Sequence, residues 1–182
     1  LPVGFFTSSV RNNGLRKEGS SLLMSGKAGL NLGAALPIDI PLNDFIIFKD
    51  NAAANENLSS IAGVINQTIA TYPMTIDYTM KSVAVETLST YTTTAPDSKV
   101  YTDVKVVKTT LNLKVTANIG ISVPVMDAQD VVVSTQYYSQ NIGMVYAHTT
   151  TDYHLNSLPV TLPIPSTGHQ VQDEFISIYH VN

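Results

Sequence analysis

The 182-residue chain is predicted to be mainly β, an antiparallel meander forming a curled sheet, half-barrel or sandwich with at most one or two short helices. Three observations carry this expectation. Period-two alternation recurs through the second half, starting where Met74, Ile76, Tyr78 and Met80 interleave with Thr75, Asp77, Thr79 and Lys81. Short connections rich in Asn, Gly and Pro, with no convincing long helix, join the alternating stretches, as expected of strands that double back on one another. Charged residues make up 13% of the chain, about half the roughly 25% usual in globular domains, and 16 Ser with 20 Thr fill the polar positions instead.

Residues 1–20 are rich in Gly, Asn and Ser behind a short apolar start and read as an N-terminal arm; residues 21–182 read as a single antiparallel β domain. Pro37 and Pro41 interrupt the next apolar stretch. Because proline donates nothing to a ladder, an edge strand, or a loop leading into a strand at 44–49, is expected there. Residues 51–71 are ambiguous: Leu58, Ile61, Ala62, Ile65 and Ile69 fall at helical spacing, whereas Gly63, Val64 and Thr68 disfavour a helix. The alternation that starts at Met74 passes to Val83 and Val85, which predicts a bulge near Ser82. In the longest strand signal Val100, Val104 and Val106 share one parity and Val107, Leu111, Leu113 and Val115 the other, so the phase changes at Val106–Val107. Three further strands follow in DVVVSTQYYSQ, GMVYAHTTTDYHL and DEFISIYHV, and the Pro-rich run 156–165 between the last two is expected along the surface.

Composition excludes several functions. A chain of 182 residues can bury a core without covalent staples, and with no Cys it has neither disulfides nor thiol chemistry. No stretch approaches the 18 or so consecutive apolar residues of a membrane helix. All ten Lys and Arg lie at or before Lys114, without a dense cluster, so nucleic acid is not expected as a partner.

No nucleophile elbow, phosphate loop, zinc-helix motif or calcium loop is present, and the expectation is a protein without catalysis and without a cofactor. The residues best suited to a metal are His148, Asp152 and His154, which share a strand face, Asp152 and His154 about 6.6 Å apart by the strand rise. The alternative is that they line a solvated face. Asp127 and Asp130 offer two carboxylates, which suit a turn better than a calcium site. The most distinctive cluster is Tyr137, Tyr138, Tyr146 and Tyr153. Adjacent tyrosines on a strand point to opposite faces, so Tyr137, Tyr138 and Tyr146, with Met144, form the candidate ligand-binding set; sheet packing with hydroxyls at the rim is the other reading. Asn57-Leu58-Ser59 and Asn66-Gln67-Thr68 match the N-glycosylation pattern, which matters only in a host that glycosylates.

The stretch DAQDVVVSTQYYSQNIGMVYAHTTTDYHL resembles a C-terminal signature of secreted proteins and lipoproteins of Bacteroidetes, of the flavobacterial type. In that signature an aromatic pair on one strand, here Tyr137 and Tyr138, leads through a short turn into a glycine and apolar residues, here Gly143, Met144 and Val145. Envelope proteins with similar signatures have a lipoprotein-carrier-like, curled half-barrel. The resemblance implies an extracytoplasmic location, outer-membrane-associated, periplasmic or on the cell surface, and a non-enzymatic role. A lipoprotein of that type begins at a lipidated Cys, which this chain lacks, so any lipid anchor would lie outside it. The expected function is binding of a hydrophobic small molecule, a lipid for instance, or of an envelope protein through an apolar sheet face. The alternative is a structural subunit of a surface assembly or fibre joined by β-strand addition, with residues 1–10 as the added arm.

Overall fold

A computed structural model describes residues 4–32, 36–69, 71–94, 98–158 and 162–175. Among these lie one helix, α1 (Phe5–Asn12), and nine strands: β1 (Gly14–Glu18), β2 (Ser21–Leu32), β3 (Leu36–Lys49), β4 (Asn57–Ile69), β5 (Tyr72–Thr92), β6 (Val100–Asn118), β7 (Ser122–Ser139), β8 (Gly143–His154) and β9 (Thr167–Phe175). The first three strands form one sheet in the order β1-β2-β3, and the other six form a second in the order β4-β5-β6-β7-β8-β9. Every pairing is antiparallel, and within each sheet every strand pairs with its sequence neighbours. The fold is thus the expected antiparallel meander, in two sheets that do not close into a barrel.

Both sheets feed one apolar core. From β3 come Leu36, Ile38, Ile40, Leu42, Phe45 and Ile47; from the larger sheet come Met74, Ile76, Met80, Leu111, Leu113 and Val115. β3 is an edge strand along its whole length and contains both prolines. Pro37 and Pro41 are exposed with Asp39, opposite in parity to the buried leucines and isoleucines. Residues of one parity send their N–H groups to one side, so two prolines four apart remove donors only from the side without a neighbour. Residues 57–69 resolve as strand: tertiary pairing with β5 overrides the helical spacing of Ile61 and Ile65.

The phase changes come from the sheet's architecture. On β5 the inward alternation runs unbroken through Ser82 and Ala84, and the register slips between Ala84 and Glu86, leaving Val85 as the added residue. The bulge expected near Ser82 therefore lies three residues later. Ser82 points inward because its hydroxyl donates to the carbonyl of Ile46, so a polar side chain occupies a core position. At Val106–Val107 both faces of the sheet are covered: Val107 joins a cluster with Leu58, Ala84 and Tyr138, whereas Val104 joins another with Tyr101 and Val145.

Ser82 belongs to a longer row. Ser59, Ser82, Thr109, Ser134, Thr149 and Gln172 pair successively across all six strands of the larger sheet. The four in the middle are buried. Each has a partner: Thr109 donates to Gln136 Oε1 at 3.3 Å, Ser134 and Thr149 share a hydrogen bond of 2.7 Å, and Gln136 Nε2 donates to the Ser134 carbonyl. A buried hydroxyl left unpaired costs about 1–3 kcal/mol, so the row is tolerated because it is satisfied internally.

The remaining differences from expectation are local. From Gly4 onward the stretch read as an arm is part of the fold. α1 buries Phe6 to 2% exposure, and β1 pairs with β2. Residues 5–12 are helical, so they do not supply an extended strand for addition to a neighbour. Gly4 offers no side-chain cap; the Glu174 carboxylate on β9 accepts the N–H groups of Phe6 and Thr7 at 3.2 and 2.9 Å, and Gln172 Oε1 accepts that of Phe5. An anionic group is favoured at that end of a helix. MDAQD is not a turn but lies within β7, in a stretch of repeated register shifts. Leu162 and Ile164, expected on the surface, reach the core. Residues 176–181 of the expected last strand, His180 among them, lie outside the described residues.

Candidate functional site

A cleft of about 740 Å³ opens between the two sheets and α1. Its apolar walls are Phe6 and Val10 from α1, Leu22 from β2, Ile47 and Phe48 from β3, and Tyr138 and Met144 from β7 and β8. Polar groups from the β1–β2 and β7–β8 connections also line it, together with one cation, Lys17, and one carboxylate, Asp50. Such a volume, with mainly apolar walls and a few polar groups, falls in the range of small-molecule sites.

Local chemistry places these residues. The β7–β8 turn requires left-handed backbone at Asn141 (φ 62°) and at Gly143 (φ 98°), which asparagine and glycine tolerate best. Immediately beyond it the register slips: Tyr138 pairs with Met144 and Tyr137 with Tyr146, leaving Val145 as the extra residue on β8. That bulge separates Met144 from Tyr146, which simple alternation would put on one face.

The predicted tyrosine set is divided accordingly. Tyr138 and Met144 line the cleft. Tyr137 and Tyr146 join a ladder that also takes in Tyr91 and Phe175, with centroid separations of 4.3 Å for Tyr91–Tyr137, 5.3 Å for Tyr137–Tyr146 and 4.8 Å for Tyr146–Phe175. Ring covers ring there, so the ladder is packing. Burial pushes the Tyr91 phenol up to about 12.

Tyr138 is the unusual member. It is 5% exposed, its ring lies 4.6 Å from that of Phe48, and its buried hydroxyl has no hydrogen-bond partner among the described residues. Burial raises its pKa far above that of a free tyrosine, so the phenol keeps its proton and remains a donor. An unsatisfied buried hydroxyl is costly, and at the wall of a cleft a bound molecule with an acceptor atom would relieve it.

Two histidines, His148 and His169, pair with carboxylates. Asp173 Oδ1 accepts from the Tyr146 hydroxyl at 2.6 Å and lies 2.8 Å from His148 Nδ1; these bonds, Tyr146 first, hold the carboxyl below its ordinary pKa. Asp152 pairs with His169, and His154 lies opposite Thr167 at the far end of β8. His148, Asp152 and His154 are thus not gathered, and among the described residues no three metal-capable side chains converge. Asp130 accepts from Asn112 Nδ2. The sequon residues Asn57 and Asn66 are both exposed on β4.

Sequence reasoning found Tyr138 and Met144 but missed Phe6, Leu22, Ile47 and Phe48. These come from three separate elements, α1, β2 and β3, and only the packing of α1 and the smaller sheet brings them to one place. No family model, curated protein or solved structure matches the chain. Among the described residues no helix is long and apolar enough to cross a membrane.

Proposed function

We propose that this is a non-catalytic binding protein that holds an apolar or amphipathic small molecule, a lipid or similar, in the cleft between its sheets. The observation that carries the reading is the apolar-walled cleft with Tyr138 in its lining, a residue whose buried hydroxyl has no hydrogen-bond partner among the described residues. The apolar walls would take a hydrocarbon portion, Tyr138 would donate to an acceptor on it, and the polar rim would stay in water. An extracytoplasmic location, in the cell envelope or outside the cell, is part of the same proposal. Its support is the sparse charge, the abundance of hydroxyl side chains and the resemblance of the β7–β8 region to envelope proteins.

The test is uptake of a fluorescent fatty acid by purified protein, with native mass spectrometry for co-purifying molecules. Saturable uptake, lost when Met144→Lys places a charge in the wall, supports the reading. A bare mass together with no uptake overturns it.

A further inference from the structure

Two open sheets leave four strand edges among the described residues, β1, β3, β4 and β9. An edge strand presents unpaired backbone donors and acceptors, and proteins guard such edges with charges and prolines. Three of the four are guarded in this way: β1 carries Arg16, Lys17 and Glu18; β3 carries Pro37, Asp39, Pro41 and Asp44; β9 carries His169, Asp173 and Glu174. The fourth is bare. β4 runs for 13 residues with neither a charge nor a proline, and Val64 at its middle is 57% exposed. Beyond its ladder with β5, no backbone hydrogen bond of β4 to another strand is found among the described residues.

We propose that β4 pairs antiparallel with the β4 of a second copy, joining two six-stranded sheets edge to edge. A two-fold interface must oppose each residue to its symmetry-related position, so a strand suits it only when its two halves are mutually compatible. β4 meets that condition about Gly63. The axis there sets Ile61 opposite Ile65, Ala62 opposite Val64, Ser60 opposite Asn66, and Ser59 opposite Gln67. Apolar meets apolar, hydroxyl meets amide, and no like charges meet because β4 has none.

Two further details favour a second copy over an unrelated strand. The Gln67 side-chain nitrogen is buried without a hydrogen-bond partner among the described residues, and this register places it opposite the Ser59 hydroxyl of the other copy. A Cβ at Gly63 would lie 2.5 Å from the Tyr78 hydroxyl, so the Tyr78 ring lies across the glycine. With glycine opposite glycine at the axis, the two Tyr78 hydroxyls come within reach of each other.

Sedimentation velocity of the full chain up to roughly 100 µM, which detects dimers of micromolar Kd, tests this. The wild type is expected to dimerise. Val64→Lys and Val64→Glu are each expected to be monomeric with an unchanged circular dichroism spectrum, because the two introduced charges lie diagonally across the axis. Mixing the two variants is expected to restore the dimer. A wild type monomeric at every concentration overturns the proposal, as does a dimer that survives Val64→Lys or a mixture that stays monomeric. Should the position 64 variants lose their β signal, Ala62→Lys and Ala62→Glu, exposed on the same edge and likewise diagonal across the axis, repeat the test with the same outcomes.

Discussion

Replacing Tyr138 with phenylalanine separates stability from binding, because the one oxygen removed acts in opposite directions on the two. The ring that packs against Phe48, centroids 4.6 Å apart and tilted by 36°, is retained, so the packing of the β7 wall is preserved. The hydroxyl is buried without a partner among the described residues, and such a group costs about 1–3 kcal/mol in the folded state. Its removal is therefore expected to stabilise the empty protein. For a chain of 182 residues, about 1 kcal/mol moves Tm by about 2–4 °C, which gives a rise of roughly 2–12 °C. Ligand affinity is expected to move the other way: loss of one neutral hydrogen bond of about 0.5–1.5 kcal/mol weakens it about two- to twelve-fold. Thermal unfolding followed by circular dichroism reads the first effect, and displacement of a fluorescent fatty acid reads the second. A lowered Tm would refute the reasoning, since the hydroxyl would then have a stabilising partner; unchanged affinity would remove Tyr138 from the ligand's contacts.

Three further outcomes are expected. Glu174→Ala leaves the N-terminus of α1 without its borrowed cap, at a cost of about 1–2 kcal/mol that a urea titration detects as a lower midpoint with an unchanged slope. Ser82→Ala removes the donor to the part-buried Ile46 carbonyl and is expected to cost about 1–2 kcal/mol, a larger loss than exposed serines such as Ser60 show in the same titration. Asp173 is held below its ordinary pKa by Tyr146 and His148, so its contribution is present above the usual carboxylate range and is lost as pH falls through its lowered folded value. Asp173→Asn should accordingly flatten the acid limb of a stability–pH profile below about pH 4 and leave the neutral region with only a small loss.

Much of the fold was legible because strand faces were written in side-chain polarity: Met74, Ile76 and Met80 point inward as their alternation predicts. The reading failed where burial and polarity part company. Ser82 is inside and Val85 is not, so the bulge was misplaced by three positions. It failed again where a local signal depends on a distant partner. Residues 5–12 look like an arm until Gln172 and Glu174, more than 160 positions away, supply the helix with its missing caps. The division of Tyr137 from Tyr138 followed from the two-residue repeat. The parting of Met144 from Tyr146 depended on a bulge at Val145, which nothing in local composition marks, and Phe48 opposite Tyr138 depended on the meeting of two sheets.

The polar row across β4 to β9 bears on how six long strands find their alignment. Inward and outward faces detect a slip by one residue but are blind to a slip by two, because apolar still meets apolar. The hydroxyls are not blind to it. Moving β6 by two residues along β5 would bring Thr109 against Met80 or Ala84, and the same displacement between β7 and β8 would part Ser134 from Thr149. The row thus works like the index mark on a sliding scale: it adds little to the strength of the sheet, but it distinguishes the native alignment from its nearest counterfeits.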